Sequence, residues 1–180
     1  MEKINNLNNL KSEMILIISN IKEDQKFLDN LIHSKKNLSF SETFNLRKLA
    51  LLVEIGEFSN ELETFKYWKI NKKSRNDEKI KEELIDCLHF FISIFNDLKV
   101  LIDESYKFNY DNFSLNDLLL EIFDTTNQFS IEMKNPEFIC NNWLYLFFEI
   151  CNNLGISSKE VLNAYSQKNK LNIERLNNNY

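Results

Sequence analysis

Apolar residues recur every three or four positions along most of the chain, the spacing of helices buried on one side. Leu7, Leu10, Met14, Ile17, Ile18, Ile21 and Leu28 mark an amphipathic helix from Leu7 to about His33, with Gln25 and Asp29 one turn apart on it. After a polar connection, Ser39-Phe-Ser-Glu42 has the form of a capping box. It opens a second helix, predicted to run to about Trp68. The basic loop that follows carries Lys69, Lys72, Lys73 and Arg75, and reads either as a solvated loop or as a cationic flap over a polyanion. Asn76 or Asp77 starts a third helix, reaching about Val100. A loop from Asp103 to Asn112 leads to Ser114-Leu-Asn-Asp117, which caps a fourth helix predicted to end at Asn135. Pro136 suits the first position of a fifth helix and Gly155 its C-terminal end. This fifth helix, with FICNNWLYLFFEIC, is the most apolar. It reads as central core or as a subunit interface, and its aromatic surface favours a dimer contact. Ser157-Ser-Lys-Glu160 caps the last helix. The pattern predicts an all-α chain of about six helices in an antiparallel bundle, one domain spanning residues 1–180.

The second and third helices each carry an acidic pair, Glu54-x-x-Glu57 and Glu83-x-x-Asp86. Residues three apart share a helix face, so each pair aims two carboxylates the same way. With Glu54 at zero on a helical wheel, Phe65, Phe58 and Leu51 fall within roughly 60° on one side, and Glu61, Trp68 and Glu57 within roughly 60° on the other. Around Glu83, Phe90, Ile94 and Cys87 are similarly close. These acids therefore border the apolar seam. Solvated surface acids are the plain reading of any one such pair. Two pairs beside core residues are costly and mutually repulsive unless a divalent cation joins them.

Composition narrows the picture. Gly 2 and Pro 1 argue against hairpins and glycine-rich phosphate loops, while Phe 15 supplies bulky core material. The net charge of −5 disfavours a broad nucleic-acid face. Cys87, Cys140 and Cys151 lack CxxC spacing and read as buried free thiols in a reducing compartment. No leader pattern opens the chain and no apolar run reaches the ~18 residues of a membrane span, so a soluble cytoplasmic protein is expected.

Four acids, two histidines and no cysteine cluster make an all-oxygen site, suited to Mg²⁺ or Mn²⁺ rather than zinc. A di-iron bundle ranks lower, because neither His33 nor His89 completes a Glu-x-x-His motif. On the last helix, Tyr165, Lys168, Asn172 and Arg175 lie within roughly 80° of one another. That stripe suits an anion, with a solvated basic face as the other reading. Magnesium on paired acids, with Lys and Arg arriving from elsewhere and no Walker loop, fits hydrolysis of a nucleoside triphosphate by water.

The segments EIGEFSNE with FKYWK, then EELIDCLHFFIS, then AYSQKNKLNIER with Tyr180, together with the N-terminal QKFLDNLI, resemble the all-α nucleoside triphosphate pyrophosphohydrolases, the MazG-like group. More narrowly they resemble the dimeric all-α dUTPases. The resemblance implies Glu54, Glu57, Glu83 and Asp86 as magnesium ligands, with Mn²⁺ as a substitute, and Glu54 as the group that orients or deprotonates the attacking water. It implies Lys168 and Arg175 as phosphate-binding residues, Asn172 as a substrate-contacting amide and Tyr180 as a C-terminal substrate tyrosine. Gln25, Asp29, Trp68 and His89 fall where the family builds its base and sugar pocket; each also has a structural role as its competing reading. The implied reaction is dUTP plus water giving dUMP and pyrophosphate, with dUDP also accepted, in a homodimer. The alternatives are a related pyrophosphohydrolase for dCTP or another dNTP, and a non-catalytic helical interaction protein.

Overall fold

A computed structural model describes residues 2–71, 74–103 and 105–178, with side chains from Ser12 onward, Met14 excepted. Six helices carry it: α1 (Glu2–Lys36), α2 (Phe40–Leu62), α3 (Asp77–Leu98), α4 (Leu115–Asn127), α5 (Pro136–Leu154) and α6 (Ser158–Asn177). There is no strand among the described residues, and no described helix is long and apolar enough to cross a membrane.

The helix starts follow from capping chemistry. Ser39, Ser114 and Ser157 each accept the backbone N–H three residues on, while Glu42, Asp117 and Glu160 reach back to the cap N–H. Asn76 caps α3 through its side chain, Pro136 opens α5, and Gly155 closes α5 at φ 72°, a conformation glycine adopts without strain.

α1 runs longer than the expected Leu7 to His33, while two other helices stop well short of the sequence expectation. α2 stops at Leu62, short of Trp68, because Glu63 turns left-handed at φ 54°. Its buried carboxylate then takes the ammoniums of Lys69 at 2.5 Å and Lys66 at 3.4 Å. The stretch through Phe65 and Trp68 is therefore not helical. α4 ends at Asn127 instead of Asn135; Gln128 and Phe129 donate back to Thr125 and Thr126, and Phe129 drops fully into the core.

Contacts set the helix directions. Arg47 meets Ser93 and Asp97, Glu54 faces Glu83 and Asp86, and Lys79 reaches Glu61, so α2 and α3 run antiparallel. Gln25 with His89 and Lys22 with Asn96 make α1 antiparallel to α3 as well. α1 and α6 instead run side by side in the same direction, joined by Glu13–Ser158, Gln25–Tyr165 and Lys35–Leu176.

α5 belongs to the core. Trp143 is fully buried, stacks on Phe91 at 3.9 Å and donates its indole N–H to Thr126 at 2.9 Å. Phe147 and Phe148 are buried beside it. Much of this aromatic surface is spent inside the chain, while Phe138 stays 48% exposed. Cys87, Cys140 and Cys151 are buried free thiols.

Candidate active site

The antiparallel pairing of α2 and α3 brings the two acidic pairs face to face. One oxygen each from Glu54, Glu57 and Glu83 lies within 4.8 Å of the others, an arrangement that can hold a metal ion. Asp86 adjoins this nest, close enough to raise the pKa of Glu54, but its Oδ2 accepts a hydrogen bond from Lys168 Nζ at 2.6 Å. Lys168 also donates to Glu82 at 3.1 Å. Burial works against the Lys168 charge, but these two carboxylates outweigh it and raise its pKa.

The nest is electrostatically uncomfortable, which is the physical test of a cation site. Burial, then the charges of Asp86, Glu57 and Glu83, push Glu54 up to about 7. Burial and the charges of Glu57 and Asp86 also raise Glu83. Asp86 is raised by burial even with Lys168 bonded to it. All donors are hard oxygens, so the set fits Mg²⁺ or Mn²⁺.

Beside the nest lies a cavity of 440 Å³, with Asp86 in its wall. Gln25 and Asp29 enter from α1, His89 from α3, and Asn172 and Arg175 from α6. The structure thus gathers most of the residues that the sequence singled out. Lys168 stands at the junction of cavity and nest through its bond to Asp86. Trp68 is placed elsewhere: it sits in the segment after α2, 60% exposed, edge-on to Phe65 and Tyr67, and outside the cavity wall. Tyr180, Lys72 and Lys73 lie outside the described residues.

The cavity floor is a hydrogen-bonded unit. Gln25 Nε2 donates to Asp29 Oδ1 at 2.8 Å. Gln25 Oε1 lies 2.7 Å from His89 Nδ1 and accepts from the Tyr165 hydroxyl at 2.8 Å. The His89 and Tyr165 rings stack at 4.1 Å. Burial and then the Lys168 charge hold His89 down to about 3, so it is neutral at ordinary pH. Burial raises Asp29, against hydrogen bonds and the Arg47 charge.

Several wall residues were not anticipated. His33 continues the Gln25–Asp29 face by one turn; its Nδ1 lies 2.7 Å from the Asp29 carbonyl and its Nε2 2.7 Å from Thr43 Oγ1. The i, i+4, i+8 spacing of Gln25, Asp29 and His33 was the available signal. Arg47 lies in the buried stripe of α2 with Phe44, Leu51, Ile55 and Phe58, the one charged residue among the buried residues of that helix. Its guanidinium donates to Ser93 Oγ at 2.9 Å, to the Phe40 carbonyl at 2.8 Å and to Asp97.

An all-helical frame with a carboxylate nest beside a largely apolar cavity that carries a few polar groups has the layout of a nucleotide-hydrolysing enzyme. The chain belongs to the dUTPase family, in its all-α branch: a family model described as dUTPase matches residues 17–180. It is an enzyme, a dUTP diphosphatase. Among curated proteins none matches the chain.

Proposed function

We propose that this cleft hydrolyses dUTP, and dUDP, to dUMP with a divalent cation, Mg²⁺ or in its place Mn²⁺, held by Glu54, Glu57, Glu83 and Asp86. The observation that carries the proposal is the cavity of 440 Å³ opening directly beside carboxylates that strain one another. A cation bound there would neutralise phosphate charge and make water more acidic. Glu54, with a proton affinity near neutrality, is suited to orient the attacking water and take its proton. Lys168 and Arg175 on α6 bring positive charge to the phosphates, and Asn172 offers an amide between them. Gln25, Asp29 and His89 face the base. The measurement is product release from dUTP, dUDP, dCTP and dTTP with Mg²⁺ and with chelator. Hydrolysis of dUTP at least tenfold faster than that of dCTP or dTTP, lost in chelator, is expected. Turnover of dUTP no faster than dCTP would give the site to another nucleotide.

We also infer a homodimer, in a different place from the aromatic helix. Leu46, Leu49 and Val53 form an exposed apolar stripe on α2, and Gly56 lies on the same face with open space around its Cβ position. A mid-helix glycine costs about 1 kcal/mol against alanine and has no packing reason within the chain. Antiparallel pairing with the same helix of a second copy would set Leu46 against Gly56, where the missing side chain admits close approach. Leu46 also lines the cavity, so such an interface would border the site. Leu49→Asp is expected to yield monomers in light scattering; an unchanged mass would remove α2 as the interface.

A further inference from the structure

Tyr165 stands behind the cavity wall. It is fully buried, touches Gln25 and His89, and is absent from the lining residues. Its hydroxyl has a single proton. Gln25 Oε1 at 2.8 Å is a much better acceptor for it than the Ile21 carbonyl at 3.4 Å. The amide of Gln25 therefore has its oxygen toward Tyr165 and His89 and its nitrogen toward Asp29. Turning it over would press an amide oxygen against the Asp29 carboxylate.

That orientation fixes more than one group. An amide oxygen only accepts, so His89 carries its proton on Nδ1 and leaves Nε2 a bare acceptor. Asp29 Oδ2 and His89 Nε2 are both buried without a close, well-aligned hydrogen-bond partner, although the Ser93 side chain acts on the Asp29 carboxyl and the Tyr165 backbone on the His89 ring. Buried polar atoms of this kind normally have partners, and both residues face a cavity that a ligand can fill. With one amide N–H committed to Asp29, the floor presents one remaining Gln25 N–H and two acceptors.

We propose that Tyr165 is a positioning residue for base selection: it locks the Gln25 amide, and through it the His89 tautomer, so that the floor offers a donor beside acceptors. This rests on the reading of the cavity as the base site. Uracil presents a carbonyl oxygen beside an N3–H, and so pairs with the Gln25 N–H and one of the two acceptors. Cytosine held in the same register would set its bare N3 against that acceptor and its amino group against the Gln25 N–H. A flipped amide would remove the distinction. Mismatched buried hydrogen bonding is what gives large discrimination between isosteric ligands.

Tyr165→Phe keeps the ring over His89 and deletes only the hydroxyl. The ratio of kcat/KM for dUTP over dCTP is expected to fall about tenfold, chiefly through KM for dUTP. A lowered melting temperature with an unchanged ratio would overturn the proposal, since a purely structural tyrosine moves only the former. Imidazole ¹⁵N shifts in the wild-type protein are expected to show His89 protonated on Nδ1; the Nε2–H tautomer would overturn the proposal even if the variant did not fold. Calorimetry with deoxyuridine and deoxycytidine separates this inference from the enzymatic reading. Preference for deoxyuridine in the wild type, lost in Tyr165→Phe, supports it whether or not dUTP is turned over. Equal binding of the two nucleosides by the wild type sinks it, while absence of dUTP turnover alone sinks only the proposed reaction.

Discussion

Replacing Glu54 with glutamine is expected to lower dUTP turnover about a thousandfold, the scale on which a positioned acid–base group acts, while making the chelated protein more stable at pH 8. The two effects share one cause. In the fold, burial and the neighbouring acids raise the Glu54 pKa from 4.5 to about 7. Between those values the folded chain holds a proton that the unfolded chain has lost, so the fold loses stability as pH rises toward 7. Glu54 is partly exposed, so after solvent screening the effect at pH 8 is about 1–2 kcal/mol, or about 3–6 °C in Tm. His89 acts in the opposite sense: it stays neutral in the fold but gains a proton in the unfolded chain below its ordinary value of 6.5, so acid destabilises through it. Comparing Glu54→Gln with the wild type cancels that term. The variant's gain in Tm should be present at pH 8 and vanish near pH 5, by thermal melts in chelator. Mg²⁺ should then stabilise the wild type and leave the variant nearly unmoved. A gain that did not depend on pH would mean that Glu54 is not the strained acid.

Trp143→Ala is expected to be the most damaging single change to the fold. The side chain is wholly buried between Phe91 and Phe147, with ring centroids at 3.9 Å and 5.7 Å. Truncating it removes a large apolar volume from packed surroundings, which costs about 3–5 kcal/mol. The Thr126 hydroxyl, which donates to the Ile122 carbonyl at 2.6 Å, also loses the indole N–H that it accepts. Urea unfolding should show a midpoint shift of that size with the slope unchanged. A loss below about 1 kcal/mol would put α5 outside the core.

The acidic pairs were legible because a helix repeats every 3.6 residues and carboxylates beside an apolar seam are unusual. The caps at Ser39, Ser114 and Ser157 were legible because their partners are local. The end of α2 was not. Hydropathy continues through Phe65 and Trp68, and the stop comes from Glu63 collecting Lys66 and Lys69 in a left-handed turn, an arrangement with no pattern of its own. Trp68, placed on the acid-bearing helix by the wheel, is consequently on an exposed segment. Tyr165 was grouped with Lys168, Asn172 and Arg175 by angle alone. The structure sends it inward to α1, because only the neighbouring helix decides which edge of a stripe is buried. The roles of Arg47 and His33 depend on partners in other elements, and spacing along one helix does not reveal those. The aromatic run of α5 announced burial correctly, but could not say whether its own chain or another would supply the cover.

The parallel pairing of α1 with α6 has a mechanical consequence. The groups on α1 proposed to face the base and those on α6 proposed to face the phosphates are held together by Glu13–Ser158, Gln25–Tyr165 and Lys35–Leu176. They form one unit beside the acids of α2 and α3, joined to those helices by Lys168–Asp86, Gln25–His89, Lys22–Asn96 and His33–Thr43. In the proposed complex, any shift of this helix pair would carry both ends of the nucleotide relative to the acids together.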